Sequence, residues 1–176
     1  ALKRLGDMSN LANSATCRHR ALVEYFGQPW TKESCDACDV CLGELEAVAD
    51  GTVCAQKVLS CVVRVDQRFG AKHVCDVLRG TRSAQVSRYA HDKLSTFGLL
   101  TETSLAALRC WVDQLQAQGL LGTTRGRYPT VFVTAKGAEV LRGEREVDLF
   151  QPPRKAKRSA RKRTQEGRDA PELTDT

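Results

Sequence analysis

Cys35, Cys38 and Cys41 stand in the run Cys-Asp-Ala-Cys-Asp-Val-Cys, and Cys17 precedes them. Thiolates separated by two residues can turn around a single ion, and a fourth from an upstream helix completes a tetrahedron. Zinc is the expected metal, because it accepts four soft sulfurs and needs no open position when structural. The pattern therefore predicts one structural Zn2+ per chain, held by Cys17, Cys35, Cys38 and Cys41. A disulfide framework is the competing reading. It suits small secreted domains, whereas no signal-peptide pattern opens this chain of 176 residues. Cys54, Cys61, Cys75 and Cys110 lie on apolar helical faces without ligand spacing, and read as small buried hydrophobes in a reducing compartment.

No catalytic constellation emerges from the remaining polar residues. A Gly-x-x-x-x-Gly-Lys-Ser/Thr phosphate loop is absent from the sequence, so the residues present do not house the usual ATP chemistry. His19, His73 and His91 read as surface or hydrogen-bonded core residues. Two basic clusters are better candidates for contact with nucleic acid. Arg79, Thr81, Arg82 and Ser83 sit where a loop enters a helix, where side chains and backbone N–H groups can hold phosphate. Arg125, Arg127 and Tyr128 fall together in a Gly- and Pro-containing turn.

The elements that must carry these residues follow from apolar spacing. Leu2, Leu5, Met8 and Leu11 predict a helix over residues 2–13, and Ala15–Phe26 predicts a second, stopped by Gly27 and Pro29. These form a helical hairpin to which the cysteine knuckle is clamped through Cys17. Zinc there replaces a hydrophobic core too small to suffice. After an acidic connector, Gly43–Gly51, helices are predicted over Val53–Phe69, Lys72–Leu78, Ser83–Tyr89 and Leu105–Gln118. Strands Leu120–Thr124 and Thr130–Val133 follow, then a short helix over Ala135–Leu141. Helices followed by a β-hairpin read as a winged helix. The fold class is thus mainly α with a small β-hairpin. Its modules are a zinc-binding helical subdomain over residues 1–46, a winged helix over 50–150 and a basic tail over 151–176.

Two stretches carry a family resemblance. CRHRALVEYFGQ from Cys17, followed by SCDACDVCLG, resembles the zinc-binding subdomain of RecQ-family DNA helicases. VDQRFGAKHVCDVLRG from Val65, RYAHDKLSTFG from Arg88, WVDQLQAQGLL from Trp111 and VLRGE from Val140 resemble the RecQ C-terminal winged helix, called RQC. Ala90 stands where family members often have Gly. The resemblance covers about 85% of the chain and excludes the tail. It implies the C-terminal part of an ATP-dependent helicase that unwinds DNA 3′ to 5′ in repair, recombination and replication, with ATP and Mg2+ used only by a motor not contained here. It also implies contact with duplex, fork or junction DNA, the wing lying near the point where strands part, so that Tyr128 is placed to stack on a terminal base pair. Bacterial relatives dock the acidic tail of single-strand DNA-binding protein on this winged helix, and Arg142 matches a basic position there.

Charge refines these expectations. Residues 151–176 hold eight Lys/Arg against four Asp/Glu, while the preceding 150 hold 19 against 17. The folded part is not uniformly cationic, so nucleic-acid contact must use local patches. The tail is too polar to offset its ordering entropy and reads as disordered, either a solvated linker or a sequence-independent attractor of phosphate. No apolar run is long enough to span a bilayer. The expected location is cytoplasmic, in association with the bacterial nucleoid. Leu2 begins inside a helical pattern, which predicts an excised chain, although loss of an initiator Met would also expose Ala1. A freestanding module for binding DNA or protein, with no motor, is the alternative.

Overall fold

The computed structural model describes residues 8, 11–14, 16–124 and 126–152. Most of the helix expected over residues 2–13 lies outside these residues, as do Arg125 and the tail beyond Pro152. Residues 11–13 are helical.

Helix α1 (Arg18–Tyr25) is shorter than its apolar pattern suggests. Cys17 lies outside it in extended backbone as the N-cap, its Sγ accepting from Arg20 N. A knuckle of tight turns follows, closed by Leu42 N to Cys38 O at 2.9 Å and Glu44 N to Asp39 O at 2.9 Å. Among the described residues before Gly51, only Cys17 and Cys38 are buried. Leu22, Tyr25 and Phe26 remain exposed, so among the described residues α1 has no core of its own.

The second module has a full core. Helices α2 (Gly51–Arg64), α3 (Ala71–Leu78), α4 (Ala84–Arg88) and α5 (Leu105–Ala117) precede strands β1 (Leu121–Thr123) and β2 (Val131–Val133), then α6 (Ala135–Leu141). Helical spacing turns Val58, Leu59 and Val62 of α2 toward Leu108, Trp111, Val112 and Leu115 of α5, and all are buried in one cluster. Ser83, Ser104 and Thr134 cap α4, α5 and α6 by accepting from the third residue on. The strands pair antiparallel with Gly122 opposite Phe132. The Phe132 ring lies over Gly122, where any Cβ would overlap it. This is a winged helix: helices α2 to α5 followed by a hairpin wing.

One predicted element is corrected. The helix expected to reach Phe69 stops at Arg64. Asp66 N bonds to Val63 O and Gln67 N to Val62 O, the paired closure of a Schellman ending. Asp66 and Gln67 both adopt left-handed backbone, at φ 57 and 55, without being glycine. Residues 90–104, for which periodicity predicts no element, form a 3-10 turn (His91–Lys93) and further turns. They are pinned to α3 by Gly98 N to Val77 O and Leu100 N to Leu78 O, both 2.9 Å.

A strap over residues 147–151 closes the module on itself. Val48 N bonds to Leu149 O and Gln151 N to Glu46 O, pairing the strap with the connector. Buried Gln114 of α5 completes it, donating to Phe150 O at 2.8 Å and accepting from Phe150 N at 2.9 Å.

Candidate metal centre and nucleic-acid interface

The four sulfurs of Cys17, Cys35, Cys38 and Cys41 all lie within 4.8 Å of one another. Sulfurs held about 2.3 Å from a tetrahedral zinc stand about 3.8 Å apart, and Cys17 Sγ and Cys38 Sγ are 4.0 Å apart. A disulfide needs about 2.0 Å, and all eight cysteines are free. Backbone N–H groups point at the sulfurs, among them Arg20 to Cys17, Cys35 to Cys41 and Cys41 to Cys38, each at 3.5 Å. Such donors favour thiolate. Burial works against the Cys38 thiolate, but backbone donors from Cys41 and Arg18 outweigh it and hold the thiol down to about 6. The Cys35 N–H likewise lowers Cys41. Cys35 itself is pushed up to about 11 by burial and by its thiol neighbours. Four sulfurs with backbone donors and no carboxylate among them fit a soft, closed, four-coordinate ion such as zinc. His19 is exposed and outside the cluster.

Arg18, which spacing did not single out, organises the shell around the sulfurs. Its guanidinium forks onto Asp39, Nε to Oδ1 and Nη2 to Oδ2, both at 3.0 Å. Its Nη1 donates to Leu11 O and Ser14 O at 2.6 Å. Arg18 and Asp39 each follow a ligand cysteine directly, and that adjacency is the signal the sequence carried.

The loop between α3 and α4 turns at Gly80 (φ +72), whose Cα side packs on Gly98. Thr81 and Arg82 are exposed, whereas Ser83 is half-buried with its hydroxyl accepting from Val86 N at 3.2 Å. Arg79 is half-buried, and its Nε has no protein partner. On the wing, Tyr128 is 79% exposed and Arg127 lies over its ring at 5.7 Å. Arg142 is exposed and forked onto Glu144, with two hydrogen bonds of 2.7 Å. The wing and α3 are joined through Phe69. Its carbonyl accepts from Val131 N of β2 at 2.9 Å, and its ring stacks on His73 of α3 at 4.2 Å.

His73 and His91 form a buried pair that apolar spacing does not reveal, Nε2 to Nδ1 at 2.7 Å. Burial lowers the His73 pKa, and the neighbouring His91 lowers it further. Among the described residues no helix is long and apolar enough to cross a membrane.

Comparison with known proteins agrees with both modules. A family model described as RQC domain matches residues 46–158, and one described as RecQ zinc-binding matches residues 1–42. The ATP-dependent DNA helicase RecQ of Bacillus subtilis is 34% identical over 143 residues, covering 81% of this chain and 24% of that protein. The RecQ helicase of Haemophilus influenzae is 34% identical over 150 residues, covering 85% and 24%. The RecQ-like DNA helicase blm-1 of Caenorhabditis elegans is 24% identical over 159 residues, covering 78% and 16%. The chain thus spans about a quarter or less of the length of these relatives.

Proposed function

Because the chain belongs to the RQC-domain family and carries the zinc-binding pattern of RecQ helicases beside it, we propose that it is the DNA-binding C-terminal region of a RecQ-type 3′-to-5′ DNA helicase. The observation that carries this reading is a four-thiol cluster fit for zinc, one short connector away from a winged helix with an arginine-backed tyrosine at its tip. Zinc held by Cys17, Cys35, Cys38 and Cys41 cross-links α1 to the knuckle and supplies no reaction chemistry. The divisions are residues 1–46 for the zinc module, 50–150 for the winged helix and 151–176 for a basic linker.

Arg79, Thr81, Arg82 and Ser83 grip duplex phosphates, and Arg125, Arg127 and Tyr128 meet the duplex where strands part. A motor elsewhere in a longer protein uses ATP and Mg2+ to draw DNA past this grip, in repair, recombination and replication. The working location is the bacterial cytoplasm, at the nucleoid. Arg142 is the cation offered to the acidic tail of single-strand DNA-binding protein, whose carboxylate must displace Glu144 to reach it.

The test is the salt dependence of binding to a forked duplex. Each phosphate contact contributes about 0.9 to the slope of log affinity against log salt. Arg82→Ala therefore weakens binding to all sequences alike and flattens that slope by about one unit. An unchanged slope removes Arg82 from the interface, and a chain that binds no DNA at low salt overturns the reading.

A further inference from the structure

Four aromatic rings lie in one pile on the face of the winged helix that adjoins the wing. His73 and His91, hydrogen-bonded to each other and buried, form its floor. Phe69 stacks on His73 and meets His91 edge-on at 5.0 Å. Tyr89 closes the pile, edge-on to Phe69 at 4.9 Å and stacked beside His91 at 5.8 Å, interplanar angle 28°. Tyr89 is 49% exposed, so much of its ring is left to solvent, while His73 and His91 beneath it are buried and Phe69 is half-buried. Arg88 lies over that ring, 5.8 Å from its centroid.

The pile is held at both ends by backbone that ordinary residues avoid. Asp66 and Gln67 (φ 57 and 55) bring the chain to Phe69, and Ala90 (φ 55) separates Tyr89 from His91. Non-glycine residues are strained in this region, and such strain collects where side chains must be placed for a task. The pile is also joined to the wing. Phe69 O accepts from Val131 N, Gln67 Oε1 accepts from Val133 N, and Pro129 O packs at Gly70. Tyr89 with Arg88, and Tyr128 with Arg127, are therefore two arginine-backed tyrosines on one connected framework. Exposed Arg68 and Lys93 add positive charge around the pile.

We propose that Tyr89 is a second base-stacking platform, taking an unpaired base of the nucleic-acid strand engaged at the wing in the place Arg88 holds over the ring, with Arg88 turning outward to the strand's phosphate. The proposal rests on the DNA-binding reading above and deepens it. An aromatic face backed by fixed rings accepts any base, and arginine supplies charge without sequence preference. A paired duplex exposes base faces only at its ends, which the proposed function gives to Tyr128, so the occupant of Tyr89 is single-stranded.

A forked duplex carrying 5-iododeoxyuridine in its single-stranded arm, irradiated with the unaltered full chain, gives an adduct on the peptide containing Tyr89. Adducts confined to Tyr128 or to residues 153–176 overturn the proposal, whatever the folding of any variant. Tyr89→Ala binds the fork about tenfold more weakly and a blunt duplex as before, while Tyr89→Phe, which keeps the ring, binds the fork like the unaltered chain. A fork bound equally by the unaltered chain and Tyr89→Ala overturns this inference alone. A chain that binds neither fork nor duplex overturns the DNA-binding reading with it.

Discussion

Arg18 meets three groups that the chain brings from different places: the Asp39 carboxylate, Leu11 O and Ser14 O. With Arg18 21% and Asp39 38% exposed, the ion pair contributes about 1 kcal/mol or less. Its value is orientation, since the fork fixes the residue after Cys38 relative to the residue after Cys17. A bound metal would therefore supply most of the stabilisation, because among the described residues before Gly51 only Cys17 and Cys38 are buried. Cys38→Ser is expected to abolish zinc retention through a desalting column and to make residues 1–45 protease-sensitive, with residues 50–150 still resistant. Elemental analysis and limited proteolysis check both halves. The cysteines were legible because ligand type and spacing are local. The Arg18–Asp39 fork was not, because its partners lie 21 residues apart and meet only once the knuckle has turned.

Among the elements, α3 and the 3-10 turn after α4 bring a polar pair, His73 and His91, into the core. Desolvation is the main reason that the His73 pKa is lowered, with His91 and Lys72 acting in the same direction and Asp76 opposing. The neutral ring is thus the form the fold favours. This contribution to stability is fully present above the ordinary histidine pKa of about 6.5 and is lost as pH falls through the depressed folded value. Thermal melts of the winged helix are expected to fall in temperature as pH is lowered from about 6.5 toward that depressed value, and His73→Phe is expected to flatten this dependence. An unaltered slope in the variant would place the proton uptake elsewhere. Helix positions were readable from apolar period, and Ser83 from its capping chemistry. The end of α2 was not, since Val65 and Phe69 keep the apolar rhythm while Asp66 takes the left-handed place usually given to glycine. The histidine pair is tertiary, joining residues 18 apart on different elements, so no window along the chain shows it.

At the scale of the molecule, the two modules differ in what holds them. One depends on four sulfurs, the other on a core running from Ala55 to Leu149 and on a strap whose polar backbone is completed by one side chain. Gln114→Leu leaves Phe150 N–H and C=O without that partner, at a cost of about 1–3 kcal/mol for each group kept from water. Hydrogen exchange is expected to quicken at Phe150 while the β1–β2 amides keep their protection; equal loss at both would mean that the strap and the wing unfold as one. The strap has a mechanical consequence as well. Residues 46 and 151 lie side by side as the open ends of an antiparallel pair. Tension between them meets Gln151–Glu46 first, then Val48–Leu149, then the bonds of Thr52 with Val147. The bonds yield one at a time, as in a zipper, with Gln114 of α5 and Thr52 of α2 as the points where load passes into the helices. The winged helix is in this sense a side loop on a tensile line, its ends joined at one point, able to hold its shape while its two ends are pulled apart.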